Sequence, residues 1–426
     1  MDARTTPLTA GDVLASDGLR SVFQPVVELD GGTVVGYESL ARGPEGSSLE
    51  TPAALFASAR ATGQLRELDA ACRVAAIRGA LQTGRLAPLT LFVNVEPEVL
   101  DDSALDDLHA LDPDGALRIV FEITERRLAA RPAELLRTIE RIRAHGWQIA
   151  LDDVGAETAS IAFMPLLRPE VVKLDLRLVQ QRPSRDAAEI MHAVGAYAEA
   201  SGARVLAEGI EHEEHVAMAL GLGAELGQGW LYGRPTEALS HAATGDANLP
   251  RFAARPTGRV SPFSVLPATT PRRVARKDLL IELSKKLERE ALAHPDAAIV
   301  IAAFQHAHHF TPATATRYAE LARETTFVCA LGEGLPERIG ASVRGAHLAP
   351  GDPVLGEWDV VVLTPHFSGA LLARDLGDGG PDLERRFEYA LTYRRDDVVQ
   401  AAAALFSRVA PERRERERDD PLQHAA

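Results

Sequence analysis

At 426 residues, 46% hydrophobic and 25% charged, the chain exceeds what one hydrophobic core sustains, and two domains of ordinary soluble composition are expected. A net charge of −15 argues against extended nucleic-acid contact, which needs clustered lysine and arginine, but leaves open a small anion countered by metal ions or a local arginine. There is no apolar run near the roughly 20 residues of a membrane span, no signal-peptide pattern in MDARTTPLTAGD, and no disulfide framework from Cys72 and Cys329. A cytoplasmic protein is the expectation.

In chain order, residues 19–235 alternate short apolar runs with amphipathic stretches. The candidate strands are SVFQPVVEL, TVVGYESLA, LTLFVNV, LRIVFEIT, WQIALDD, VVKLD and ARVLAE. Between them lie helical segments such as PAELLRTIERIRAHG (132–146), with proline near its start and glycine at its end. Strands alternating with helices over this length predict an α/β fold, a parallel sheet closed as a (β/α) TIM-like barrel. No GxGxxG turn follows the first strand, which weakens a dinucleotide-binding reading.

Residues 242–272 lose the rhythm and hold five prolines. The expected organisation is a barrel over 1–245, a proline-rich linker over 246–272 and a smaller α/β domain over 273–410. The second domain opens with a charged helix, RKDLLIELSKKLEREALAHP, followed by strand-like AAIVIAAF, FVCAL and WDVVVLTP. The mixed-charge tail over 411–426 is expected to be disordered.

The polar residues that end the barrel strands carry the chemistry. They are Glu38, Asn94, Glu122, Asp152, Asp153, Lys173 and Glu208. In a (β/α) barrel these ends meet on the face where active sites are built. Any one alone could cap a helix or pair with a surface lysine. Five carboxylates in one confined site, however, either rise in pKa or are neutralised by cations. With no His or Cys in the set, hard ions such as Mg²⁺ or Mn²⁺ fit better than zinc. Adjacent Asp152 and Asp153 can give a bridging and a terminal ligand to a metal pair, which suits in-line displacement at phosphorus.

These residues fall in seven ordered motifs: FQPVV at 23–27, VNVEP at 93–97, EITER at 122–126, LDDVG at 151–155, VKLD at 172–175, AEGIE at 207–211 and QGWLYGRP at 228–235. With Glu38-Ser39-Leu40-Ala41-Arg42 as the signature stretch, residues 19–235 resemble the EAL-domain family of cyclic di-GMP phosphodiesterases. The resemblance implies that Glu38, Asn94, Glu122, Asp152, Asp153 and Glu208 hold two Mg²⁺ or Mn²⁺ ions. It implies that Lys173 orients or deprotonates the attacking water and that Arg42 meets a substrate phosphate. Gln24 and Gln228 would position the nucleotide, Glu125 would brace the loop after the aspartate pair, and Glu211 would support the site from behind. The implied reaction opens cyclic di-GMP to linear pGpG, and the implied assembly is a homodimer through the barrel.

One stretch departs from the family pattern. The family usually reads close to DDFGTGYSSL, whereas this chain reads DDVGAETASI, with Val154 in place of the aromatic and Glu157 and Thr158 in place of glycine and tyrosine. Weak metal affinity is therefore expected, and a cyclic di-GMP receptor without turnover is the alternative reading. A barrel enzyme of other metal-dependent chemistry, such as enolisation, would not require the glutamines, Arg42 and QGWLYGRP together.

The stretch VRGAHLAPGDPVLGEWDVVVLTPHFSGALLARDL (343–376) resembles the DICT sensory domain, whose ligand or partner is unknown. His306, His308 and His309 invite a metal reading but are expected at a strand end or in a loop without metal. Trp358 is read as a packing residue, with ligand stacking the lesser alternative.

Overall fold

The computed structural model describes residues 8–16, 18–82, 89–96, 99, 102–124, 131–156, 159–239, 245–254, 260–293 and 297–410. Glu125, Glu157, Thr158 and the tail over 411–426 lie outside the described residues. Strands β1 (Arg20–Glu28), β2 (Val34–Arg42), β3 (Leu89–Asn94), β4 (Leu117–Thr124), β5 (Gln148–Val154), β6 (Val171–Leu174), β7 (Arg204–Ala207) and β8 (Leu226–Gly227) close in sequence order into a barrel.

Seven strands match the runs read from the sequence, but the sheet is not parallel throughout. Strand β1 runs antiparallel to both β2 and β8. Its link to β2 is only LDGGT (29–33), with Gly32 at φ 67°, whereas a parallel crossover needs about a dozen residues. β8 is two residues long, too short to show any periodicity.

Inside the barrel, side chains alternate with period two. Phe92, Val120, Ala150, Val171, Leu206 and Leu226 form an apolar floor. Each lies two residues before one of Asn94, Glu122, Asp152, Lys173, Glu208 and Gln228, so the polar layer stands directly on the apolar one. Gly36, two before Glu38, gives way to the floor: a Cβ there would sit 2.8 Å from the Thr90 carbonyl oxygen.

The expected linker is built into the molecule at both ends. Ala247 is fully buried against the barrel floor. Gln148 Nε2 donates to Pro250 O at 2.7 Å, and Arg204 Nη1 donates to Ala247 O at 2.9 Å. Phe263 is fully buried between the Arg272 and Arg374 guanidiniums, 4.9 and 4.5 Å from its ring. Prolines fix the path here without preventing the apolar side chains between them from packing.

The second unit has helices α10 (Lys277–Ala291), α11 (Pro312–Glu324) and α12 (Arg395–Phe406) around one sheet. Beyond β10 (Ile299–His306), β11 (Phe327–Glu333) and β14 (Glu357–Leu363), which the sequence indicated, it contains β9 (Arg273–Arg276), β12 (Arg338–Ile339), β13 (Val343–His347), β15 (Ser368–Asp375) and β16 (Arg386–Thr392). The sheet order is β12-β13-β11-β10-β14-β15-β16-β9, and the pairs from β14 onward are antiparallel.

Alternation along β10 divides the core. Val300, Ala302 and Phe304 join the layer beneath α10 and α11, while Ile299, Ile301 and Ala303 face α12. Helix α12 in turn packs on α5 (Pro132–Ala144) and α6 (Ala159–Leu167) of the barrel. Phe406 lies 6.0 Å from Phe163 and 5.3 Å from Phe327, ring to ring. One apolar core therefore runs from sheet to barrel, and α6 is the helix that follows the aspartate pair.

Candidate active site

Strand pairing places the polar layer. Gln24 lies opposite Glu38 across β1 and β2, and Asn94 lies beside Glu122 across β3 and β4, so each pair shares a face. Asp152 and Asp153 are neighbours, and in a regular strand neighbours point to opposite faces. A bulge between Leu151 and Val154, with Asp153 at φ 58°, breaks that alternation. As a result Asp152, Asp153 and Glu208 each offer an oxygen within 4.8 Å of the others. Aspartate tolerates the left-handed region better than most residues. Gly155 continues the turn at φ 108°, and a Cβ there would meet Leu178 at 2.5 Å. Val154, in place of the family's aromatic, is fully buried and bonds through its carbonyl to the Asp175 N–H at 3.0 Å.

Lys173 is the hub. Its Nζ is 2.6 Å from Glu122 Oε1, 2.7 Å from Glu208 Oε1, 2.9 Å from Asp152 Oδ1 and 3.7 Å from Glu38 Oε2. Asn94 Nδ2 donates to Glu38 Oε1 at 2.9 Å, and Gln228 Nε2 donates to Glu38 Oε2 at 2.7 Å and to Gln24 Oε1 at 3.1 Å. Gln24 Nε2 is anchored on Gly233 O at 3.0 Å. Nine of the twelve residues singled out from the sequence therefore meet: Gln24, Glu38, Asn94, Glu122, Asp152, Asp153, Lys173, Glu208 and Gln228.

Of the other three, two do not join the cluster. Arg42 donates through Nη1 to Ala41 O at 2.9 Å, although Glu38 is close enough to influence its charge. Glu211 follows the turn of Gly209 (φ 69°); its N–H donates to His215 Nδ1 at 3.2 Å, and its carboxylate makes no hydrogen bond or ion pair among the described residues. Glu125 lies outside the described residues.

Four carboxylates, Glu38, Glu122, Asp152 and Glu208, thus face a single ammonium, with Asp153 beside Asp152 and Glu208. Burial pushes the Lys173 ammonium downward, but Asp152, Glu122 and Glu208 outweigh it and hold its pKa well above the ordinary value. An ammonium held this way donates and cannot take a proton. Burial, then the Glu38 charge, pushes Glu122 well above the usual carboxylate range, and burial lifts Glu208 to about 8 against the pull of Lys173. Burial also opposes the charge on Glu38, yet Lys173 and the Gln228 donor hold that carboxyl below its ordinary value. Glu122 Oε2 has no donor among the described residues. Unsatisfied oxygens and raised carboxyls together mark a shortage of positive charge. An all-oxygen donor set with that shortage fits a hard divalent cation.

A cavity of about 470 Å³ opens beside Glu38, Asn94 and Asp153. Its far wall, on helices α2 (Pro52–Thr62) and α3 (Leu65–Leu81) and just past β3, holds Phe56, Asp69, Cys72 and Glu96. Sequence reasoning missed Phe56, Asp69 and Cys72 because helices between motifs show no strand-end signal, and it passed over Glu96, inside VNVEP, because that residue lies beyond the strand end. Asp69 pairs with Arg73 at 3.1 Å and accepts the Glu96 N–H at 3.1 Å, while burial lifts its carboxyl to about 6. Burial and Asp69 push the Cys72 thiol to about 12, which makes it a poor nucleophile.

The profile of the EAL domain matches residues 10–235, more than half of the chain. The chain belongs to the EAL domain family. That of the "Sensory domain in DIguanylate Cyclases and Two-component system" matches residues 264–376. The chain is 32% identical over 222 residues to the cyclic di-GMP phosphodiesterase RocR of Pseudomonas aeruginosa, covering 50% of this chain and 56% of RocR. It is 30% identical over 233 residues to the cyclic di-GMP phosphodiesterase NbdA of the same organism, covering 52% of this chain and 29% of NbdA. The chain thus spans about half the length of RocR and less of NbdA. Among solved structures, the calcium and cyclic di-GMP complex of Klebsiella pneumoniae BlrP1 aligns with a TM-score of 0.48 and 25% identity, covering 55% of this chain and 59% of that one.

In this EAL chain His306, His308 and His309 form no set of three ligand atoms among the described residues. His309 Nδ1 lies 3.0 Å from Phe304 O, an acceptor, so it carries the proton, and Nε2 then accepts from Arg385 at 3.2 Å. His306 Nδ1 is held by Glu333 at 2.7 Å. Among the described residues no helix is long and apolar enough to cross a membrane.

Proposed function

We propose that this chain hydrolyses one phosphodiester bond of cyclic di-GMP to give linear pGpG, with two Mg²⁺ or Mn²⁺ ions. The observation that carries the reading is the set of four carboxylates around one lysine, with Asp153 beside them, at the mouth of an EAL barrel. Glu38, Asn94, Glu122, Asp152, Asp153 and Glu208 would hold the ions. Bound divalent ions would offset the carboxylate charge and polarise the phosphoryl group under attack.

The chain's own residues do the rest. Lys173, fixed by three carboxylates, donates toward the attacking water and orients it rather than removing its proton. Gln24 and Gln228, hydrogen-bonded to each other and to Glu38, form a preset amide edge for the nucleotide. Arg42 exchanges the Ala41 carbonyl for a phosphate oxygen, since a planar donor fork suits phosphate. Glu125 braces the loop after the aspartates, and Glu211 supports the turn behind Glu208. We also infer a cytoplasmic homodimer formed through the barrel, with the C-terminal domain adjusting the rate.

The test is the purified full chain with cyclic di-GMP and Mg²⁺ or Mn²⁺, products separated by chromatography. Accumulation of pGpG is expected. Saturable binding without any product would replace the reading with that of a receptor.

A further inference from the structure

A second cavity, of about 620 Å³, lies on the face of the C-terminal sheet turned away from the barrel. It is enclosed by α10, α11 and strands β10, β14 and β16. Small-molecule sites have volumes of roughly 300–1,000 Å³.

Its walls combine flat apolar rings with a rigid polar floor. Phe304, Trp358 and Phe387 line it, with Trp358 and Phe387 packed edge-to-face at 6.0 Å. Trp358 is only 8% exposed, and its indole N–H has no acceptor among the described residues. A buried donor without an acceptor is uncommon and calls for a partner. Gln305, also on the wall, has φ 62°, at a bulge where β10 loses register with β11. Its Oε1 accepts from Arg385 at 3.1 Å and its Nε2 donates to Asp375 at 3.3 Å, so the strained residue is locked in place. Strain held by surrounding bonds gathers at ligand-binding positions.

The charges on the lining specify one anion. Three permanent cations, Lys277, Lys285 and Arg317, face two carboxylates, Glu288 and Asp382. Arg317 is committed to buried Glu288 at 2.6 Å, and Lys277 to Asp382 at 2.6 Å. Lys285 reaches Glu288, already held by Arg317, only through its charge, and among the described residues it is hydrogen-bonded only to Glu282, an exposed neighbour on its own helix that is not part of the cavity wall. Such pairs contribute little, so Lys285 is the cation able to change partners.

We propose that this cavity binds a small planar aromatic monoanion, with Trp358 and Lys285 as the residues that select it. The rings accept the flat body, Lys285 meets the negative charge, and an oxygen of the ligand receives the indole N–H. Strands β10 and β14 carry this cavity on one face and α12 on the other, so an occupant bears on the strands that seat the helix packed on α6.

The test is calorimetric titration of the full chain with naphthoate and with its neutral isostere naphthamide. Naphthoate should bind saturably, and about tenfold more tightly than naphthamide, because only the acid completes a charge-assisted hydrogen bond. Lys285→Gln should reduce naphthoate to the affinity of the amide without lowering the melting temperature. Trp358→Phe, which keeps the packing, should weaken both probes, and Ala313→Trp, at an exposed lining position, should abolish binding. The proposal is overturned by absence of saturable binding to the wild type, by equal affinity for acid and amide, or by wild-type affinity in either Lys285→Gln or Ala313→Trp.

Discussion

The barrel mouth and the second unit handle buried charge in opposite ways. At the mouth, four carboxylates share one ammonium, and burial together with their mutual repulsion pushes Glu122 and Glu208 above the usual range. In the second unit, buried charges are mostly matched. Asp352 holds Arg408 at 2.8 Å with both side chains almost fully buried, and Glu288 holds Arg317 and the Tyr318 hydroxyl. Asp359 and Glu357 are exceptions: neither makes an ion pair among the described residues, and burial pushes both carboxyls up, Asp359 further through the Glu357 charge. A matched pair stabilises the fold it sits in. An unmatched cluster is tolerated where something outside the chain supplies the missing charge, and that is what separates a structural ion pair from a metal-dependent site.

The largest expected effect is on turnover. Glu38→Ala or Asp152→Ala should lower pGpG production by about a thousandfold or more, because each removes a ligand and a charge from the unmatched side. Product formation within a few-fold of wild type in either variant would show that the cluster is structural after all.

On the matched side, Asp352→Ala should cost about 3–5 kcal/mol of stability, since it leaves the Arg408 guanidinium buried and unpaired. Glu122→Gln in metal-free protein should instead raise the melting midpoint, because it relieves repulsion from Glu38 and Asp152. Thermal melting of both variants checks the contrast, and destabilisation of equal size in the two would erase it.

Lys173→Ala should reduce the rate by about a hundredfold while leaving cyclic di-GMP affinity within a few-fold, as befits a donor to the attacking water. Parallel loss of binding and rate would make Lys173 a substrate contact.

The smallest expected effect is a pH dependence of the metal-free chain. Glu208 titrates near 8 when folded against an ordinary value of 4.5, so the fold binds the extra proton. The stability this contributes is whole below pH about 4.5 and is lost as the pH rises through about 8, with Glu122 acting in the same direction. Glu38, held low, acts oppositely but only on the acid side. The melting midpoint should therefore fall between pH about 5 and about 8 without metal and flatten when Mg²⁺ is added. A midpoint that holds steady over that window without metal would contradict the charge shortage.

Much of this was legible in the sequence, for a reason visible in the barrel. Period-two alternation turns each strand end into a pair of layers, so an apolar run ending in a polar residue announces both floor and site, as Phe92–Asn94 and Val120–Glu122 do. What escaped was set by closure and by helices. The antiparallel β1 was detectable from the five residues of LDGGT, but β8, held by its neighbours, carries no pattern of its own. The DDVGAETASI departure draws attention to Val154, yet the local feature that turns the aspartates together is Asp153 itself, whose φ of 58° no residue pattern announces. In the second unit β12 is two residues long and β9 is exposed and charged, so neither shows an apolar run. Nothing in the sequence shows that Trp358 does more than pack, and only the structure reveals that its N–H, at a cavity, has no acceptor among the described residues.

The most direct measurement of the central claim is the titration of Mn²⁺ into metal-free full-length protein, with bound ions counted calorimetrically beside the Asp152→Ala variant. The charge imbalance at the barrel mouth predicts two ions per wild-type chain and loss of at least one in the variant, with proton release from the raised carboxyls on binding. Failure of the wild type to bind Mn²⁺ saturably, or identical isotherms for the two proteins, would contradict it.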